Sequence, residues 1–187
     1  MHRAAAIVLT GGSSSRFGAH KPAADLAGRP LVAHVLDAVA HLPTVVVGRA
    51  DGVPGGITVV QEDPPGGGPV AGLAEAVRHL PPTEIVVVLA ADLPLVDRAA
   101  VDRLVENSSD RPAVYVDADG YPQWLCAAWP LPVLTGRFAD IGDPAGVSMK
   151  RLASGVERND LSDPSGITAA DVDTPADLAR LRAVRPH

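Results

Sequence analysis

The feature that most limits the fold of this chain is a repeated alternation of short apolar runs with amphipathic helices. Apolar runs typical of buried strands occupy residues 4–9, 45–47, 57–60 and 85–89. Residues 30–42 and 70–80 carry apolar side chains at helical spacing, and two prolines at 81 and 82 end the second helix. Strands that are apolar throughout and separated by helices indicate a parallel sheet covered on both faces.

The second half of the sequence is less regular. Its apolar runs predict strands at 112–116 and 124–129 and helices at 147–152 and 175–184. We expect the strand at 124–129 to be antiparallel and to lie at an edge of the sheet. Asp97 is placed to cap a helix that buries Val101 and Leu104. Since no repeat or long linker interrupts the chain, residues 1–187 are expected to form a single α/β domain.

The loop after the first strand reads LTGGSSSRFGAHK and spans residues 9–21. In open α/β sheets, ligands bind beyond the carboxyl ends of the strands, where this loop is expected. Gly11 and Gly12 allow backbone N–H groups to approach a phosphate closely, while Arg16 and Lys21 supply positive charge. The spacing fits neither a P-loop nor the Rossmann G-x-G-x-x-G fingerprint. The alternative is a flexible surface loop with solvated charges.

Five segments, taken in chain order, form a wider pattern. They are the loop at 9–21, GRPL at 28–31, Asp63 followed by GPVAG at 68–72, ADLP at 91–94, and DVDTPADL at 171–178. These segments resemble the motifs of the nucleotidyltransferases, specifically the molybdenum cofactor guanylyltransferases of the MobA family. The resemblance implies a Rossmann-like three-layer sandwich, similar to the nucleotide-diphospho-sugar transferases, with a mostly parallel sheet and an antiparallel edge. It also implies transfer of GMP from GTP to molybdenum-bound molybdopterin, with release of pyrophosphate.

The resemblance also implies roles for the residues that match its motifs. It assigns nucleotide binding to Leu9, Thr10, Gly11, Gly12, Lys21, Asp63 and Asp92. Arg16 and Lys21 would stabilise charge that develops during the reaction, and Asp92 and Asp173 would hold Mg²⁺. GTP and molybdopterin are the expected substrates. The resemblance further allows contact with proteins that make or accept the molybdenum cofactor.

Each of these carboxylates also has a purely structural explanation. Asp92 follows the central strand, where it can cap the next turn instead of binding a metal. Asp63 can be solvated in its loop, and Asp173 stands where a helix is expected to begin. Trp124 is expected to pack in the core or at an edge of the sheet. The alternative is that its ring covers a flat pterin.

Several positions depart from the family pattern. Thr10 replaces the usual alanine, His20 replaces the usual aspartate, and residues 90–91 replace the frequent Pro-Cys. The segment GRAD at 48–51 lacks an expected asparagine. These departures leave open a related nucleotidyltransferase that uses CTP or a sugar phosphate, and also a non-catalytic nucleotide-binding module.

Charge and composition exclude other functions. The chain has 16 Lys and Arg against 22 Asp and Glu, a net charge of −6, and no basic patch of the kind that binds nucleic acid or membranes. The apolar run at 4–9 is too short for a signal sequence or a membrane span, so a cytoplasmic location is expected. A single cysteine, Cys126, excludes an internal disulfide and a multi-cysteine zinc site. The six histidines lack metal-site spacing.

Overall fold

A large central sheet organises the computed structural model, which describes residues 2–11, 23–117 and 119–163. The strands are β1 (His2–Leu9), β2 (Asp25–Leu26), β3 (Arg29–Pro30), β4 (Thr44–Val47), β5 (Thr58–Val60), β6 (Thr83–Ala90), β7 (Ala113–Val116), β8 (Pro122–Pro130) and β9 (Asn159–Ser162). The helices are α1 (Leu31–Ala38), α2 (Pro69–Val77), α3 (Arg98–Glu106), α4 (Leu131–Ile141) and α5 (Met149–Leu152). Strands β2 and β3 form a small hairpin, and the other strands form one sheet in the order β5-β4-β1-β6-β8-β7-β9.

The sheet is mostly parallel, with β8 as its antiparallel strand among the described residues. β8 pairs antiparallel with β6 on one side and with β7 on the other. The expectation that this strand lies at an edge is therefore wrong, because it lies inside the sheet. The reason is visible in its composition: the four residues from Cys126 to Trp129 are all fully buried. An apolar run without alternation is typical of an interior strand covered on both faces.

Helices cover both faces of the sheet. One apolar cluster joins α1 and α3 to alternate residues of β1 and β6, such as Val8 and Val87. The other cluster joins α2, α4 and α5 to the intervening residues of the same two strands, such as Ile7 and Val88. This alternation is the two-residue period of a strand with two buried faces, and it produces three layers. Within the part of the chain that the structure describes, no helix has the length and apolar character needed to cross a bilayer.

Most predicted elements are present, with shorter helices. The helix expected over 30–42 ends at Ala38, and the following residues form a turn in which the Leu42 N–H donates to the Val39 carbonyl at 2.8 Å. Asp97 caps α3 as expected, accepting a hydrogen bond from the Ala100 N–H at 2.8 Å. The hairpin, α4 and β9 were not predicted. The helix expected over 175–184 lies outside the described residues.

Arg137 on α4 fixes the end of α5. Its guanidinium donates to the carbonyls of Leu152 at 2.9 Å and Ser154 at 3.2 Å, and to the Asp140 carboxylate at 2.8 Å. These bonds satisfy carbonyls that the end of a helix leaves unpaired. Arg137→Met is expected to lower the free energy of unfolding by about 2 kcal/mol, measured by urea denaturation. Arg78→Met, which removes only an exposed contact to Glu75, is the matched control and should change stability by much less.

Candidate active site

The carboxyl ends of four neighbouring strands meet at one edge of the sheet. Leu9 at the end of β1 pairs with Val47 of β4 and with Ala90 of β6, and Val47 also pairs with Val60 of β5. The Ala91 N–H donates to the Leu9 carbonyl at 2.9 Å, which continues the contact past the last ladder pair. The first described residues after these strands therefore lie side by side, at the edge where parallel sheets bind their ligands.

Thr10 anchors the start of the loop after β1. Its side chain is buried, and its hydroxyl lies 2.9 Å from the carbonyl oxygens of both Val47 and Arg49. Its backbone N–H also donates to the Val47 carbonyl at 2.8 Å. An alanine at this position would lack the hydroxyl contacts. The threonine therefore has a structural role, because its hydroxyl links the start of the loop after β1 to the end of β4 and the loop that follows it. The expected contact of Thr10 with a nucleotide stays a prediction.

Gly48 allows these two loops to approach closely. Its φ is +106°, and a Cβ added there would lie 3.0 Å from the Thr10 Oγ1 and 3.1 Å from the Gly11 nitrogen. Both the backbone conformation and the contact require glycine. Gly11 itself is exposed at this edge. The position of its N–H group thus depends on the absence of a side chain at residue 48.

Gly48→Ala is expected to lower the free energy of unfolding by about 2–4 kcal/mol, because it adds steric conflict to an unfavourable φ. It should also raise the KM for the nucleotide, because Gly11 must shift. Gly56→Ala is the matched control: Gly56 has φ +90° but nothing within 4 Å of an added Cβ. A urea titration and a nucleotide titration of both variants check this expectation. Equal effects of the two substitutions would contradict it.

Two acidic residues follow β5, and Glu62 is the less exposed of the two. It is half-buried, and its Oε1 accepts a hydrogen bond from the Gly66 N–H at 3.0 Å. A Cβ added at Gly72 in α2 would lie 3.7 Å from its Oε2. Asp63, the residue named from the sequence, is exposed. The sequence alone does not distinguish the environments of these two adjacent acids, and the nucleotide contact expected of Asp63 stays a prediction.

The backbone of the glycine segment 66–68 contacts the loop that precedes α5. The Gly146 N–H donates to the Gly67 carbonyl at 2.8 Å. In α2, Gly72 brings the helix against the sheet, since a Cβ there would lie 2.7 Å from the Val47 Cγ1. The beginning of α2 is therefore held close to the ends of β4 and β1, since the same Cβ would lie 3.6 Å from the Leu9 Cδ2.

Asp92 lies two residues after the end of β6 and lines a cavity of about 270 Å³. Its side chain is half-buried. The cavity is also lined by Leu93, Gln123, Trp124 and Met149, among other residues of β8 and the turn after β6. A partly desolvated carboxylate requires cationic or hydrogen-bonding partners to stabilise its charge.

Asp92 offers one carboxylate oxygen donor group at this edge of the sheet. No group of three or more metal-ligating His, Cys, Asp or Glu side chains gathers anywhere in residues 2–11, 23–117 or 119–163. Mg²⁺ commonly takes only one or two carboxylates and completes its shell with water and substrate phosphates. Asp92 can therefore serve such an ion, whereas a closed protein cage is not present in those ranges.

The structure brings together some of the predicted site residues and leaves others undescribed. Leu9, Gly11 and Asp92 share one edge of the sheet. The other predicted residues of the loop and the second metal ligand, which are Gly12, Arg16, Lys21 and Asp173, lie outside the described residues.

Cys126 is buried in β8, and burial, with a smaller contribution from the Asp163 carboxylate, raises the pKa of its thiol from 9.0 to about 12. At pH 8 the thiolate fraction is thereby reduced about a thousandfold, so a disulfide reagent should react far more slowly with native than with urea-unfolded protein. Because the folded state holds this proton more tightly, the free energy of unfolding should also fall as pH rises from 9.0 toward 12. Rapid reaction of the native thiol with the disulfide reagent would contradict the expected low thiolate fraction, and a free energy of unfolding that stays constant between pH 9.0 and 12 would contradict the expected loss of stability.

Comparison with known proteins identifies the family. The sequence model of the MobA-like NTP transferase domain matches residues 6–145. The chain belongs to this family. The molybdenum cofactor guanylyltransferase of Rhodobacter capsulatus is 31% identical over 95% of this chain and 94% of its own length. The protein of the same name from Bradyrhizobium sp. is 32% identical over 67% of this chain, a match that spans 65% of that protein.

Solved structures share the fold of this MobA-like chain. A nucleotidyl transferase from Methanothermobacter thermautotroptrophicus has a TM-score of 0.76 at 23% identity, covering 97% of both chains. The molybdopterin-guanine dinucleotide biosynthesis protein A of Archaeoglobus fulgidus has a TM-score of 0.73 at 22% identity, covering 96% of this chain and 97% of that one. The predicted Rossmann-like, mostly parallel α/β fold is confirmed.

Proposed function

We propose that this protein transfers GMP from GTP to molybdenum-bound molybdopterin, forming molybdopterin guanine dinucleotide and pyrophosphate. Two relatives at 31% and 32% identity are named molybdenum cofactor guanylyltransferase. The observation that carries the proposal is the place of Asp92. It follows Ala91, whose N–H donates to the Leu9 carbonyl at 2.9 Å, and it lines a cavity of about 270 Å³, so one carboxylate lies at the carboxyl edge of the sheet beside space for a ligand.

In the proposed reaction, an oxygen of the acceptor phosphate attacks the α-phosphorus of GTP. The bond between the α-phosphorus and the bridging oxygen breaks, and pyrophosphate leaves with the electron pair. Such a transfer depends on in-line positioning and on neutralisation of phosphate charge more than on covalent chemistry by the protein. Backbone amides at Gly11 and Gly12 would hold the phosphates, and Arg16 and Lys21 would stabilise the charge on the leaving group.

Asp92, together with Asp173, would hold Mg²⁺ at this edge. When bound, the ion supplies positive charge that neutralises the triphosphate and orients it. Asp63 would contact the nucleotide. A single nucleotidyltransferase domain over residues 1–187, a cytoplasmic location and contacts with proteins that make or accept the cofactor stay predictions.

A panel of nucleotides tests the proposal. Pyrophosphate release is measured with GTP, CTP or ATP as donor, and with molybdopterin or a sugar phosphate as acceptor. We expect turnover with GTP and molybdopterin that stops in EDTA and returns with Mg²⁺. Preference for CTP or for a sugar phosphate would overturn the assignment of substrates. Absence of turnover with every pair would indicate a binding module.

A further inference from the structure

The loop that joins β5 to α2, residues 61–68, is closed by one of its own side chains. The Glu62 Oε1 accepts a hydrogen bond from the Gly66 N–H at 3.0 Å, so the carboxylate is the partner of a backbone donor four residues further along the chain. This bond joins two points within one loop. It therefore removes conformations that a loop held only at its two ends would sample.

The side chain of Glu62 lies against backbone on two sides. A Cβ added at Gly67 would lie 3.4 Å from the Glu62 Cγ, and one added at Gly72 would lie 3.7 Å from its Oε2. These values are close to van der Waals distances, so little space separates the side chain from the glycine segment 66–68 and from the first turn of α2. Glu62 is half-buried there, whereas the neighbouring Asp63 is exposed. The carboxylate of Glu62 thus serves its own loop.

Hydrogen bonds also fix the chain on either side of Asp63. Before Asp63, the Gly48 N–H donates to the last carbonyl of β5 at 2.8 Å. After it, the Gly67 carbonyl accepts from the Gly146 N–H, also at 2.8 Å. Between these two points, the Glu62 carboxylate supplies a further hydrogen bond inside the loop. The backbone from which the Asp63 side chain projects therefore depends on Glu62.

We propose that Glu62 is a positioning residue for nucleotide binding, which acts by holding the loop at 61–68 in the conformation that presents Asp63. The inference rests on the proposed function, in which Asp63 contacts the nucleotide. Without the bond to the Gly66 N–H, the loop samples more conformations, and the nucleotide must order it on binding at a cost in affinity. Asp63 has no part in the bond-making step proposed above. The loss should therefore weaken binding of the substrate and of the transition state alike.

Steady-state kinetics of three variants test the role of Glu62. Glu62→Met keeps the length of the side chain and removes the acceptor, so it is expected to raise the KM for GTP about tenfold with kcat within about twofold of wild type. Glu62→Gln keeps an oxygen that can accept from the Gly66 N–H and should recover most of the loss. The matched control is Glu75→Met, because Glu75 is also half-buried and lies 2.9 Å from the His79 Nε2, but further along α2. Its KM for GTP should be close to wild type.

The result for Glu62→Gln separates positioning from direct binding. If Glu62→Gln loses as much affinity as Glu62→Met, the negative charge of Glu62 is responsible and the positioning role is overturned. If Glu62→Met fails to fold in a urea titration, Glu62→Asp replaces it. Glu62→Asp shortens the side chain by one methylene and should raise the KM for GTP in the same direction; an unchanged KM in a folded variant would overturn the inference.

A double-mutant cycle with Asp63→Ala tests whether Glu62 acts through Asp63. Once the Asp63 carboxylate is removed, its position no longer matters for binding. Adding Glu62→Met to Asp63→Ala should therefore raise the KM for GTP much less than Glu62→Met does in the wild-type protein. Equal effects of Glu62→Met in the two backgrounds would overturn the positioning role.

Direct binding of GTP in the presence of Mg²⁺, measured by isothermal titration calorimetry, separates this inference from the proposed function. A higher Kd for GTP in Glu62→Met, largely restored in Glu62→Gln, supports the positioning role even if the wild-type protein transfers no GMP. An unchanged Kd and an unchanged KM in Glu62→Met would overturn the inference while leaving the proposed function intact. Absence of GTP binding by the wild-type protein would overturn both.

Discussion

Asp92→Asn is expected to lower kcat with GTP and molybdopterin about 10²- to 10³-fold, the loss typical of removing one group that stabilises developing charge. The substitution keeps the shape of the side chain and removes its negative charge. A neutral amide oxygen is a weaker ligand for a hard cation than a carboxylate oxygen. Asp92 is half-buried beside the cavity, so water compensates only partly for the lost charge. The apparent Mg²⁺ concentration for half-maximal activity should rise as well.

Asp97→Asn is the matched control for this experiment. The same chemical change is made five residues further along the chain, at the N-cap of α3, where the side chain accepts from the Ala100 N–H. Asparagine caps a helix as well as aspartate does, so activity and stability should both be close to wild type. A wild-type kcat in Asp92→Asn would remove Asp92 from the reaction. A similar loss in Asp97→Asn would show that the effect comes from the fold of this segment.

The strands that form the centre of the sheet were predictable because their burial leaves a simple signature. Each of β1, β4 and β6 contains an uninterrupted apolar run, at residues 4–9, 45–47 and 85–90, and in the structure both faces of these runs are covered by helices. β9 gives no such signal, since among its four residues only Leu161 is buried. α4 is similar: Leu134 is its buried residue, too few for a helical stripe.

The position of the candidate site was predictable where the backbone alone decides it. The rule that ligands bind at the carboxyl ends of parallel strands predicts the edge at which Gly11 and Asp92 lie, and their roles stay predictions. The hydrogen bonds made by Glu62 and Thr10 do not follow from that rule, because each depends on how the loops fold. The interior place of β8, and hence the cavity beside Asp92, depends on strand order, which a local pattern does not encode.

Arg16→Ala and Lys21→Ala are each expected to cost about 2–4 kcal/mol of transition-state stabilisation, seen as a lower kcat/KM for GTP. Pyrophosphate leaves with additional negative charge, and a fixed cation beside it is worth most when the charge has developed. Arg16→Lys should recover only part of the loss, because lysine keeps the charge but lacks the planar pair of donors that matches a phosphate. Rates of pyrophosphate release at saturating and at low GTP give kcat and kcat/KM separately.

Arg78→Ala provides the comparison that makes this result specific. Arg78 is an exposed cation at the C-terminal end of α2, the helix whose first turn lies at the active edge, so it lies at the opposite end of that helix from the edge. Its removal changes the net charge by the same amount and should leave kcat/KM within about twofold of wild type, since exposed charges at that distance are screened. If Arg78→Ala slows the reaction as much as Arg16→Ala, the effect is one of overall charge. If neither loop cation matters while Asp92→Asn is inactive, the triphosphate is held by backbone amides and the metal alone.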